Sequence, residues 1–266
     1  MRSQTGSQLP SAQSRSGDGI DLVNVVKRFG ETVAVSGADL SLPRHGRMSI
    51  IGPSGCGKST ILSMISGLLD PTEGVVRVEG ATTMKERLAR CAWMPQRDLL
   101  LPWRDVAGNA ALALENHGIS KKEARGRVLE LIDRFGLSGF ERKFPHQLSG
   151  GMRQRVSFLR TMAAGKDVLL FDEPFGALDS ITRADLQQWL RRTLEETPRT
   201  TVLVTHDVEE ALLLGDTVVV MSARPGRIVQ TVDVELPQTE NRRELIRHPA
   251  FAELRDELLS LLEVAE

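Results

Sequence analysis

The sequence predicts an α/β fold: a mainly parallel sheet, an N-terminal antiparallel β subdomain and an inserted α-helical subdomain. Three observations predict it. Short apolar runs such as Val168–Phe171, Thr200–Thr205 and Val218–Met221 alternate with helical patterns, as strands covered on both faces do. Near the N-terminus, Ile20–Lys27 and Thr32–Leu42 are two patterned segments joined by a short turn, which read as antiparallel neighbours. Between Arg97 and Leu159 the apolar period changes to that of helices.

Each element follows in order. Met1–Gly19 is rich in Ser, Gln and Gly, cannot bury a core, and is expected to be a disordered tail. Met48–Ile51 is a short buried strand ending in a glycine-rich turn, after which Lys58–Leu68 reads as a helix. Val75–Glu79 returns as a strand closed by Gly80, and Cys91–Met94 is another, stopped by Pro95. Ser120 and Glu123 form an S-x-x-E capping box for a helix with Ala124, Val128, Leu131 and Phe135 on one stripe, ended by Gly136. Ser149 caps the next helix. Strands follow at Val168–Phe171, Thr200–Thr205, Val218–Met221 and Arg227–Val234, with helices at Asp179–Glu196 and Val208–Leu214. Pro249 opens a last helix carrying Phe251, Leu254, Leu258 and Leu262. The expected organisation is a tail to residue 19, a domain over 20–236 with its helical subdomain at about 97–159, and a helical extension over 237–266.

Composition excludes several classes. The 266 residues carry 34 Lys+Arg against 35 Asp+Glu, so bulk basicity gives no reason to expect nucleic-acid binding. Two cysteines, Cys56 and Cys91, cannot build a disulfide framework or a multi-cysteine zinc site. No apolar run approaches the ~20 residues of a spanning helix, and the N-terminus lacks a secretory apolar segment, which predicts a cytosolic chain.

Gly52-Pro53-Ser54-Gly55-Cys56-Gly57-Lys58-Ser59 fits G-x-x-x-x-G-K-[ST], followed by Thr60. Glycines let backbone N–H groups wrap phosphates, and the following helix adds its dipole. Lys58 is expected at the β- and γ-phosphates and Ser59 on Mg²⁺. Standing between a strand and a helix, this motif predicts a P-loop NTPase core of the RecA-like kind. Val168–Phe171 leads into Asp172 and Glu173. Asp172 is the candidate Mg²⁺ acid, and Glu173 the candidate base for the attacking water.

Leu148-Ser149-Gly150-Gly151-Met152 lies upstream, its serine 23 residues ahead of Asp172. Two glycines at a helix start can present N–H groups to an anion, with the Ser149 hydroxyl beside them. Here the sequence resembles the ATP-binding cassette (ABC) ATPases, whose signature is LSGGQ; Met152 stands where the glutamine is usual. The resemblance implies roles for further residues. Phe29 takes the place of the adenine-stacking aromatic, Gln96 that of the glutamine touching Mg²⁺ and the attacking water, and His206 that of the γ-phosphate histidine. Gly176-Ala177-Leu178-Asp179 resembles the D-loop. Pro95–Trp103 with Asn109, and Ser222–Ile228, look like the nitrate/sulfonate/taurine importer ATPases.

That family implies ATP and Mg²⁺ as cofactors and a head-to-tail homodimer in which Ser149, Gly150 and Gly151 meet the partner's nucleotide. It also implies transmembrane permease subunits, indirectly a solute-binding protein, and a peripheral place on the cytoplasmic face of the inner membrane. The chemistry implied is ATP hydrolysis that energises import of a small solute. A non-transport ABC ATPase of DNA repair or the ribosome is the alternative; a P-loop kinase or GTPase leaves Leu148–Gly151 and His206 unexplained. Leu99–Trp103, apolar and starting three residues after Gln96, is the expected contact for the membrane partner.

Overall fold

A computed structural model describes residues 19–176, 178–237, 239 and 241–265. Residues 1–18, the greater part of the expected tail, lie outside the described residues, as does Ala177. The described chain runs β1 (Gly19–Phe29), β2 (Thr32–Pro43), β3 (Arg47–Ile51), α1 (Lys58–Ile65), β4 (Glu73–Val78), α2 (Met84–Arg90) and β5 (Cys91–Met94). Four helices follow, α3 (Val106–Ala110), α4 (Leu112–Asn116), α5 (Lys121–Leu131) and α6 (Gly150–Ala163). The α/β pattern then resumes with β6 (Val168–Asp172), α7 (Ser180–Glu196), β7 (Thr200–Val204), α8 (Val208–Leu214), β8 (Thr217–Met221) and β9 (Ile228–Asp233). Helices α9 (Arg242–Arg247) and α10 (Pro249–Ala265) close it.

Two sheets form. β1 pairs antiparallel with both β2 and β4, giving the order β2-β1-β4. The six-stranded sheet runs β5-β6-β7-β3-β8-β9 and is parallel except for β9, which joins the edge antiparallel to β8. Its strands alternate between two apolar cores. Met48 and Ile50, Val168 and Leu170, Val202 and Val204 pack with α1 and the antiparallel sheet. Ile51, Leu169, Phe171 and Leu203 point the other way, into the core built with α6, α7, α8 and α10. A period of two with both faces apolar produces this buried parallel sheet.

The structure moves several expected boundaries. α1 ends at Ile65, because Gly67 turns left-handed (φ 80°) and an added Cβ there would lie 2.3 Å from the Met84 carbonyl. α2, α3, α4 and α9, which the sequence reading left unassigned, are short. The capping box is half formed: Ser120 Oγ accepts from Glu123 N, but the Glu123 carboxylate pairs with Arg127. After Leu131 the helix tightens to a 3₁₀ turn over Ile132–Phe135, which buries Ile132 where Leu131 was expected.

The Leu99–Arg104 segment is ordered by one buried amide. Asn109 Oδ1 accepts from Leu101 N at 2.7 Å, while its Nδ2 donates to the carbonyls of Leu101, Arg104 and Asp105. Helix α6 holds the other end: Arg160 donates to the Leu99 and Asp98 carbonyls, and Arg153 Nε to Asp98 Oδ2 at 3.1 Å. Asn109→Ala is expected to cost about 2–3 kcal/mol in urea unfolding and to expose residues 99–104 to limited proteolysis. Unchanged stability and protection would show that the loop is held otherwise.

Candidate functional site

The Gly52–Ser59 loop leaves the end of β3 and enters α1. Gly57 precedes the helix with φ 105°, and an added Cβ there would come within 2.9 Å of the Ala34 carbonyl. No side chain caps α1. Its first amides are thus left to an anion, and the helix dipole favours one. Lys58, nearly buried, donates from Nζ to the Gly52 and Pro53 carbonyls at 2.8 and 2.9 Å, which holds its charge inside the loop. The Cys56 side chain is fully buried in the core, so its thiol does not face a ligand. Cys91 is likewise buried and free, and burial pushes its thiol up to about 12.

A cleft of about 410 Å³ opens over this loop, lined by Phe29, Thr32, Ala34, Ser54, Gly55, Gly57, Lys58, Ser59, Thr60, Glu173 and Arg224. Phe29 stands at the end of β1, half exposed, with Lys27 Nζ 5.2 Å from its ring centroid. Arg224 is absent from the sequence reading of the site. It is brought there because Gly226 crosses the loop so closely that a Cβ would lie 1.8 Å from the Cys56 carbonyl; its guanidinium donates to the Gly55 carbonyl at 3.2 Å. A glycine flanked by a basic residue in Ser222–Ile228 was the available signal.

The acids sit at the end of β6. Ser59 Oγ donates to Asp172 Oδ1 at 3.0 Å. Burial raises the Asp172 carboxyl above its ordinary range, with neighbouring Glu173 adding to it, while Ser59 and Lys58 oppose. A desolvated carboxylate beside a serine hydroxyl, both oxygen donors, fits a hard divalent cation. Glu173 is the meeting point: its Oε2 accepts from Gln96 Nε2 at 3.0 Å and lies 3.5 Å from His206 Nδ1. Its backbone is left-handed (φ 45°), a conformation costing a non-glycine residue roughly 1–2 kcal/mol. Glu173 N donates to the Val204 carbonyl at 2.8 Å and helps hold it there.

Ser149, Gly150 and Gly151 are not among the residues lining this cleft. They begin α6, where Ser149 Oγ accepts from Met152 N and the bare Gly151 leaves room for Thr182 of α7. Met152 packs against the core. Asp179 caps α7, accepting from Ile181 and Thr182 N.

Behind His206 lies a group the sequence reading passed over. Glu210 on α8 is buried, and desolvation raises its carboxyl from 4.5 to about 8; Asp207 and Glu173 add to the rise, Thr205 and Arg183 oppose it. Its place in the helix, four residues before buried Leu214, was the legible sign. A carboxyl raised in the fold contributes its full stability below about 4.5 and loses it as pH climbs through about 8. Glu210→Gln is therefore expected to melt progressively higher than the wild type as pH rises from about 5 to 8. A melting difference that stays constant over that window would contradict the buried titration.

Comparison with known proteins identifies relatives over most of the chain. The ABC transporter family model matches residues 35–176. The taurine import ATP-binding protein TauB of Rhizobium johnstonii is 41% identical over 244 residues, covering 90% of this chain and 93% of its own. The aliphatic sulfonates import ATP-binding protein SsuB 1 of Rhodococcus jostii is 47% identical over 204 residues, covering 77% and 79%. The nitrate import ATP-binding protein NrtC of Synechococcus elongatus is 41% identical over 88% of this chain, which spans only 36% of that longer protein. Among solved structures, the dimeric post-hydrolysis state of the ATP-binding cassette MJ0796 bound to ADP and phosphate superposes with a TM-score of 0.71 at 31% identity, covering 81% of this chain and 99% of that one. The family match over more than half of the chain and these relatives show that the chain belongs to the ABC transporter family of ATP-binding, ATP-hydrolysing subunits.

Proposed function

We propose that this subunit energises import of a small oxyanion-bearing solute, of the taurine, sulfonate or nitrate kind, through separate membrane permease subunits. The observation that carries the hydrolytic part is the Gln96–Glu173–His206 contact at the mouth of the P-loop cleft. Glu173 is the group that takes a proton from the attacking water, and Gln96 and His206 orient it. The cleft takes ATP: its phosphates on the amides of Gly52 to Thr60 and on Lys58, its base against Phe29. Ser59, Asp172 and Gln96 would hold Mg²⁺, which would supply charge neutralisation at the phosphates. Two copies assemble head to tail, each Ser149–Gly151 helix start facing the other's cleft, which is why those residues stand apart from their own. Glu173→Gln should bind ATP normally, lose about 100-fold or more in turnover, and form an ATP-dependent dimer in size-exclusion chromatography. A monomer that turns over at the wild-type rate would end this reading.

The permease contact centres on Leu99 and Trp103. No helix of the described residues is long and apolar enough to cross a membrane. Trp103 is 71% exposed and Leu99 58%, whereas Leu100 packs into the core, which narrows the expected five-residue contact. Arg160, which holds Leu99, also lines an adjoining groove of about 510 Å³ with Trp93, Leu88 and Leu112. A cytoplasmic loop of the permease fits here, placing the subunit peripherally on the cytoplasmic face of the inner membrane. A solute-binding protein then acts only through the permease. Trp103→Ala should fold and hydrolyse ATP as the wild type does, yet assemble poorly with the membrane subunits. Loss of thermal stability, or intact assembly and transport, would refute the contact.

A further inference from the structure

Behind the His206 turn lies a buried polar ring that the hydrolytic contacts above leave unused. Thr205 Oγ1 donates to Glu210 Oε2 at 2.6 Å and itself accepts from Asp207 N at 3.1 Å. Asp207 Oδ1 accepts from Glu210 N at 3.0 Å, closing the ring around residue 206. The His206 side chain, enclosed by none of these bonds, projects outward to Glu173. Arg183 ties the ring to α7: its Nη1 lies 3.9 Å from Asp207 Oδ2, and its Nη2 donates to the Leu178 carbonyl at 3.0 Å. Glu210 Oε1 and Arg183 Nε are both buried without a hydrogen-bond partner.

A carboxyl with an unsatisfied oxygen is a costly way to fill an otherwise apolar helix face, where leucine would pack without that cost. Glu210 is flanked by buried Val208, Ala211, Leu212, Leu213 and Leu214, so packing alone gives no reason for it. What it supplies is one short, directed acceptor for Thr205, the residue joining β7 to His206. Fixing Thr205 fixes the backbone on the near side of His206; the cap from Asp207 to Glu210 fixes the far side.

We propose that Glu210 is a positioning residue for hydrolysis: by accepting from Thr205 it sets the turn that aims His206 at Glu173. The proposal rests on the roles given above to Glu173 and His206, and the two fail differently. A Glu173→Gln variant with normal turnover overturns that assignment whatever Glu210 does. The test here compares Glu210→Ala, Glu210→Gln and Thr205→Val for turnover, KM, melting temperature and affinity for a fluorescent ATP analogue. Glu210→Ala and Thr205→Val should lose roughly tenfold in kcat with analogue affinity kept within about twofold, the pattern of a misaimed group and not of lost binding. Glu210→Gln, whose amide oxygen can accept the same bond from Thr205, should restore most of the turnover. If Glu210→Ala fails to fold, Thr205→Val decides together with Thr205→Ser: valine keeps the side-chain shape but removes both the donor to Glu210 and the acceptor for Asp207 N, whereas serine keeps both and should retain turnover. Wild-type kcat in Thr205→Val, or a Glu210→Gln as impaired as a folded Glu210→Ala, overturns the proposal.

Discussion

The register of the parallel sheet is the constraint on which the site depends. Asp172 pairs with Val204 and Val204 with Ile50, while Ile51 pairs with Val220, so β6, β7, β3 and β8 end at one level. β5 joins them through Met94, which pairs with Phe171. Within two residues of those ends come Gln96, Glu173, His206, Gly52 and Ser222. Five segments far apart in sequence are thereby delivered to one edge, the edge where open parallel sheets bind ligands. A slip of one residue in any of the pairings would turn that strand's core face over, so the apolar alternation that builds the two cores also sets the site.

Helix α6 extends the constraint outward. Its first turn carries Ser149 and the two glycines. In the next turn, Gln154 Nε2 donates to the Pro174 carbonyl, one residue from Glu173. Phe158 then packs on Phe171 and Phe175, with ring centroids 5.5 and 5.6 Å apart, on either side of the two acids. On another side of the same helix, Arg153 and Arg160 hold Asp98 and Leu99 beside exposed Trp103. One rigid element thus touches the turn bearing Glu173, the helix start given to the partner cleft and the loop given to the permease. Packed contacts of this kind transmit displacement without a flexible relay, because a close-packed interior yields little.

Much of this was legible. The P-loop declares itself by spacing, since its glycines serve a backbone path that few other residues can follow, and Cys91–Met94 and Val208–Leu214 stand where the apolar runs put them. What the residues alone did not carry was set by distant partners. α3 and α4 are five residues each, too short to show a helical period, and depend on Asn109 and the packing of α6. Arg224 reaches the cleft only because Gly226 crosses the P-loop. Leu100 could not be told from Leu99 by composition, since burial at that point depends on which way an ordered loop turns.

Glu210 shows why the least legible features gather near the chemistry. A buried carboxyl on a helix of leucines reads locally as an error, as does a left-handed glutamate at the end of a strand. Both conflict with the rule that each position should favour its own surroundings; Glu173 lies in the turn after β6, and Glu210 in the first turn of α8, which follows the His206 turn after β7. Left-handed non-glycine residues also occur at Asn24, His45, Glu79 and Leu99, but Glu173 is the one among these five that meets both Gln96 and His206, so its backbone cost falls at the turn presenting it. Such cost persists where a side chain must be held in one direction against solvent and neighbours, because a relaxed turn would leave each side chain free to point elsewhere. The register brings the backbone to the site; the strained and buried acids decide where the reacting groups point.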